Sequence, residues 1–285
     1  MSRGHKREQI DVWRPADLAG VEVRSGVAVT EPYPRHWHEE YQFCFIQAGG
    51  GELFYRGSHH DTPQTSLFVV HPGEVHANQT ATGCSFRSVY VAPELIRAAA
   101  FGLDERARAL PFFPDPMIFD AEVTAAHRAL HHALVSSATT LERESLMMEL
   151  LTMLVARHAQ VGPRPVRGGR EHGAVSRVRE YIVEHHARNV TLGELAQVAN
   201  LSPFHLTRVF AREVGMPPHA FQTQVRVACA KRLIRGGLSL AHVAAATGFA
   251  DQSHLIRQFK RLMKITPGEY LKNSKNVQYA APPLG

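Results

Sequence analysis

Along residues ~20–92 the chain alternates short apolar or aromatic runs with turn signals, the pattern of β-strands. The runs 41–46, 53–55, 67–70 and 86–91 are separated by Gly49-Gly50-Gly51, Arg56-Gly57-Ser58 and Pro72-Gly73. From ~120 to 159 the period changes to that of helices. Val123, Leu130 and Leu134 form one stripe, and Leu146, Leu150 and Leu154 with Met147 and Leu151 form a broader one. That broader stripe is wider than pairing two helices requires, so it predicts either apolar surface left for a second copy of the chain or a barrel that covers all of it. Residues 160–173 carry two Pro and four Gly without apolar periodicity and read as a linker. Beyond it no strand pattern occurs.

The last part of the chain repeats itself. Thr191-Leu192-Gly193-Glu194-Leu195-Ala196 is echoed 48 residues later by Ser239-Leu240-Ala241-His242-Val243-Ala244. Leu206-Thr207-Arg208-Val209-Phe210 is echoed 49 residues later by Leu255-Ile256-Arg257-Gln258-Phe259. Each copy reads as helix, tight turn, helix. Thr191 is an N-cap with Glu194 as its capping-box partner. Asn200 and Gly248 stand where the first helix stops and a left-handed residue is commonly needed. Ser202 caps the next helix with Pro203 at its first position, and Asp251 or Ala250 begins the counterpart. Leu206, Phe210, Leu255, Phe259 and Leu262 face inward. His205, Arg208 and Arg212, then Ser253, Arg257, Lys260 and Arg261, face out. A basic face on the second helix of each pair is the pattern of a helix-turn-helix.

Charge supports that reading. Residues 1–163 hold 14 Lys/Arg against 19 Asp/Glu, and residues 164–285 hold 18 against 7. The acidic half nets −5 and the basic half +11, so double-stranded DNA is the expected partner of the second half alone. The 3 cysteines, Cys44, Cys84 and Cys229, form no CxxC pair. That argues against a disulfide scaffold or zinc finger and for a reducing compartment. The charged start MSRGHKREQIDVWRP lacks an apolar signal segment, and the stretch 147–156 is interrupted by Glu149 and Thr152. A cytoplasmic protein with no membrane partner is expected.

These residues resemble the AraC/XylS family of bacterial transcription regulators. The resemblance covers ~100 residues and rests on SPFHLTRVFAREVG (202–215), RVACAKRLI (226–234) and VAAATGFADQSHLIRQFKRLMKITPGEY (243–270). Gly248-Phe249, Phe259-Lys260 and Thr266-Pro267 carry the signature of its second unit; Ile256 departs from it, where a polar residue is common. The resemblance implies two modules joined by a long helix near 218–235, each placing a helix in successive major grooves. It maps base and phosphate contacts onto Phe204, Thr207 and Arg208, then Gln252, Ser253, His254 and Arg257. Arginine can bond guanine bidentately, glutamine adenine, and an aromatic ring can touch a thymine methyl. If the protein activates transcription, RNA polymerase is a further partner.

The first half resembles a cupin barrel in Arg35-His36-Trp37-His38-Glu39-Glu40-Tyr41 and His71-Pro72-Gly73-Glu74-Val75-His76. Strand period two puts His36, His38, Glu40 and Gln42 on one face and Tyr41, Phe43 and Phe45 on the other. By that resemblance His36, His38, Gln42 and His76 converge, although Gln42 stands where a metal cupin has Glu. Three readings remain open: a divalent transition metal held by these four, direct contact with a small-molecule effector, or a structural network. A metal-dependent cupin enzyme fused to a DNA-binding module is the alternative to a sensor. No triad, P-loop or GxGxxG site favours catalysis. The adjacent pairs His59-His60, His131-His132 and His185-His186 read as surface or helix-end residues.

The expected architecture is therefore a multidomain α+β chain. It has a cupin-like effector-sensing barrel over 1–119, amphipathic dimerisation helices over 120–160, a linker over 161–173 and an all-α DNA-binding domain over 174–276.

Overall fold

The computed structural model describes residues 8–80, 83–104, 109–160 and 170–275. The positions 1–7 of the expected leaderless start, most of the expected linker (161–169) and residue 276 lie outside the described residues. In chain order come β1 (Gln9–Trp13), β2 (Val21–Val29), β3 (Tyr33–His36), β4 (Tyr41–Gly49), β5 (Gly51–Tyr55), β6 (Ser58–Thr62), β7 (Leu67–Val70), β8 (His76–Gln79) and β9 (Cys84–Val91). Then follow α1 (Pro93–Leu103), β10 (Met117–Ile118), α2 (Ala121–Val135) and α3 (Thr140–His158). The helical part holds α4 (Arg170–Glu184), α5 (Leu192–Ala199), α6 (Pro203–Val214), α7 (Pro218–Arg235), α8 (Leu240–Thr247), α9 (Gln252–Met263) and α10 (Pro267–Lys275).

The chain divides into two compact units. The first is built on an antiparallel six-stranded sheet of order β1-β2-β9-β4-β7-β10, with β5 pairing both β6 and β8 in a second sheet. β1 and β10 are edges, so the first sheet is open where a closed barrel was expected. Alternation along the strands gives the sheet two different faces. One carries Tyr41, Phe43, Val69, Val89 and Val91 into a core shared with Ile96 of α1, Val123 and Leu130 of α2, and Leu150 and Leu154 of α3. The other carries Cys44, Ile46, Phe68 and Val70 against Leu53 and Tyr55 of β5.

Two expectations change here. Met147, Leu150, Leu151 and Leu154 are all buried in the first core, Leu150 with 0% exposure. Most of the stripe is consumed by the first core, including α1, an element the pattern did not predict, and Leu146 stays half-buried. What α3 exposes instead is Leu141 at 73% and Met148 at 50%. His131 was expected at the surface, yet α2 turns it inward to 2% exposure. Its imidazole lies edge-on to Trp13.

In the second unit the local signals act as expected. Thr191 and Glu194 form a capping box, and Asn200 ends α5 at φ 54°. Ser202 and Asp251 accept from the backbone N–H groups of His205 and His254, which start α6 and α9. Gly248 ends α8 at φ 77°, and a Cβ there would meet the Ala187 carbonyl oxygen at 2.2 Å. α4 starts at Arg170, inside the expected linker. The short segment Tyr33–Trp37 belongs to this unit as well. Trp37 stacks on Phe221 of α7 at 5.4 Å, and its backbone N–H donates to the Gln224 side chain.

Candidate nucleic-acid interface and sensor site

The two recognition helices present matching faces because each buries the same positions. Leu206, Val209 and Phe210 hold α6 down, while Leu255, Phe259, Leu262 and Met263 hold α9. Phe204 is left 79% exposed, with Arg208 and Arg212 on the same side of α6. On α9, Gln252, Ser253, Arg257, Lys260 and Arg261 are exposed. Three expected contacts are partly engaged elsewhere. Thr207 donates its hydroxyl to the Pro203 carbonyl. His254 is half-buried, edge-on to Phe249. His205 is half-buried against Glu171 of α4. Ile256 is half-buried, in keeping with a packing role.

Among the described residues Arg208, Arg257, Lys260 and Arg261 form no ion pair, whereas Arg212 is paired with Glu171 at 2.6 Å. Four unpaired cations on two parallel-built faces give a site for a polyanion.

In the first unit, His38, Gln42 and His76 come together. The His38 and His76 rings meet edge to face at 4.9 Å. His38 Nδ1 donates to the Glu40 carbonyl at 2.7 Å, and its Nε2 lies 3.2 Å from the Gln42 amide. That amide is in turn 3.2 Å from the Ser88 hydroxyl. Burial holds the His38 pKa below its ordinary value despite the nearby Glu40. The Gln42 carbonyl oxygen faces His38 Nε2, and the Gln42 NH2 donates to the Ser88 hydroxyl.

His36 is not part of this group. β3 ends at His36, residues 37–40 break the strand, and β4 begins only at Tyr41. The period-two extrapolation over 36–42 therefore fails. His36 sits in the segment that packs with the helices, its Nδ1 donating to the Pro34 carbonyl at 2.8 Å. A metal does not fit the expected four. Both ring nitrogens of His38 are engaged, and no group of three or more His, Cys, Asp or Glu among the described residues could hold one ion.

The sequence reading missed the charged residues beside this group. Glu22 and Arg24 are buried on β2, with Arg24 bonding Glu22 through Nε at 3.1 Å and through its terminal NH2 at 2.7 Å. Arg24 also lies over the Tyr90 ring at 4.4 Å, and His38 meets that ring edge-on at 5.0 Å. A signal existed: Glu22 and Arg24 alternate with Val21 and Val23, which puts two charges on one face of a strand whose other face is apolar.

A charged and imidazole-rich inner face in a sheet-based unit, together with tandem helix-turn-helix modules, defines a DNA-binding regulator with its own ligand-binding domain. The profile described as "AraC-like ligand binding domain" matches residues 18–151, and that described as "Helix-turn-helix domain" matches 195–273. An uncharacterized HTH-type transcriptional regulator of Bacillus subtilis, YbfI, is 29% identical over 234 residues, covering 80% of this chain and 82% of its own. The transcriptional activator RhaS of Pectobacterium carotovorum is 24% identical, covering 82% and 86%. Among solved structures, apo ToxT of Vibrio cholerae aligns with a TM-score of 0.58 at 11% identity, covering 90% of this chain and 98% of that one. Unsaturated fatty acid-bound ToxT aligns with a TM-score of 0.56 at 12% identity, covering 98% and 100%. The chain belongs to the AraC family of transcriptional regulators. Its relatives carry the names of transcriptional regulators, and no helix among the described residues is long and apolar enough to cross a membrane.

Proposed function

We propose that α6 and α9 read two successive major grooves of one operator, and that a small-molecule effector bound beside His38, Gln42 and His76 modulates that binding. The observation that carries the DNA reading is the set of unpaired cations Arg208, Arg257, Lys260 and Arg261 on matching faces of two repeated modules. Phe204, Thr207, Gln252, Ser253 and His254 add base and backbone contacts, with His205 and Arg212 at the flank of α6. The buried polar group of His38, Gln42 and His76, with Arg24 beside it, suits a hydroxyl or carboxylate on an otherwise apolar effector. The protein works in the cytoplasm as a homodimer, with Leu141 and Met148 of α3 as its exposed apolar contacts, and meets RNA polymerase where it activates. It catalyses no reaction.

Titration of the whole chain with a random-sequence duplex pool at several salt concentrations tests the DNA reading. Each phosphate neutralised contributes ~0.9 to the log–log slope, so several contacts should make binding steeply salt-dependent. Binding that is indifferent to salt would overturn it.

A further inference from the structure

Glu171 stands in the first turn of α4, and its carboxylate reaches two side chains seven positions apart on α6. It accepts from Arg212 at 2.6 Å and sits 3.0 Å from His205 Nε2. Both belong to the outward set of the first recognition helix, whereas the α9 cations form no ion pair among the described residues. The contact extends on either side. Arg208 approaches His205 Nδ1 at 3.4 Å, Arg212 lies 3.6 Å from Glu213, and Glu213 lies 3.3 Å from His172. Arg212 holds the Glu171 carboxyl below the ordinary glutamate range. Near neutral pH, Glu171 is therefore an anion beside the helix expected to meet phosphates.

We propose that Glu171 restrains DNA affinity: it competes with phosphate for Arg212 and His205 and so holds down the sequence-independent, phosphate-driven part of binding. The proposal rests on reading α6 as a DNA-facing helix. Non-specific affinity is almost wholly electrostatic, so a carboxylate that cancels Arg212 subtracts directly from it. Cognate affinity also includes base contacts, such as those open to Arg208, which Glu171 does not occupy. A built-in countercharge thus lowers the phosphate-driven part of binding and leaves the base contacts untouched. The arrangement also keeps the Arg212 side chain extended along the helix flank, at the modest stability typical of an exposed pair.

The test is binding of the full chain to a random-sequence duplex across salt, for wild type, Glu171→Gln, Arg212→Ala and the double variant. Glu171→Gln should bind more tightly, with the log–log salt slope steeper by ~0.9. Between 50 and 200 mM salt its affinity should then fall about 3.5-fold more than that of wild type. In the Arg212→Ala background most of this gain should vanish, because the competing cation is gone. Glu171→Ala should move affinity in the same direction, with thermal unfolding checking that each variant is folded. Unchanged or weaker binding by both Glu171 variants, while Arg208→Ala still weakens binding, overturns the inference and leaves α6 on the DNA. If Arg208→Ala and Arg212→Ala are also without effect, the DNA-facing reading of α6 fails with it.

Discussion

The Arg87 guanidinium donates a hydrogen bond to His131 Nδ1 at 2.9 Å, joining β9 to α2 inside the first unit. This bond fixes the His131 proton on Nε2 and makes an imidazolium there unfavourable beside a permanent cation. One turn earlier on the same helix, His127 donates from Nε2 to the Phe43 carbonyl at 3.3 Å. Burial lowers the His127 pKa to about 4, and burial together with Arg87 lowers that of His131 to about 2.

These two histidines make the first unit acid-labile. Their folded pKa values lie below the unfolded value of ~6.5, so unfolding takes up protons as pH falls through 6.5. The stability they contribute is fully present above pH ~6.5 and is lost toward pH ~4 for His127, and lower still for His131. Denaturant melts between pH 7.5 and 4.5 should show stability falling with a slope approaching ~2.7 kcal/mol per unit, two protons' worth. His131→Gln should remove about half of that slope. A flat profile would mean that these imidazoles are not held neutral.

Leu150 and Leu141 lie on one helix and should respond in opposite ways. Leu150→Ala empties a fully enclosed site and should cost ~2–5 kcal/mol on unfolding, without altering self-association. Leu141→Glu should leave stability within ~0.5 kcal/mol and weaken a dimer formed through this helix. Sedimentation velocity with paired denaturant melts separates the two. A dimer indifferent to both Leu141→Glu and Met148→Glu places the interface elsewhere.

Arg208 and Arg257 occupy equivalent positions of the two repeats. Arg208→Ala and Arg257→Ala should each cost ~1–3 kcal/mol on a selected site. Each should relax base preference, at positions about one helical turn, ~10 bp, apart. Binding-site selection with each variant reads this directly, and loss of preference at one shared position would contradict the two-groove arrangement.

Gly248 should not tolerate a side chain. Its left-handed backbone and the 2.2 Å approach of the Ala187 carbonyl to an added Cβ predict that Gly248→Ala destabilises the helical unit by more than ~1 kcal/mol. Thermal denaturation would show it, and Gly193→Ala, with open space around its Cβ position, is the control.

The two helix-turn-helix units were legible in the sequence because their information is local. Thr191 with Glu194, Ser202 before Pro203, and the left-handed stops at Asn200 and Gly248 act within a turn or two of themselves. Apolar spacing on α6 and α9 then dictates which side faces out, and so exposes Arg208 and Arg257. Strand existence in the first half was legible for the same reason, through alternation and turns. What alternation could not supply was pairing, because strand partners lie far apart in sequence. β2 lies beside β9, 57 positions separate Ala28 from its bonding partner Ser85, and the break between β3 and β4 parts His36 from Gln42. Only the assembled sheet put Arg87 against His131 and buried Leu150. Periodicity states which face of an element is apolar, and tertiary packing decides what covers it.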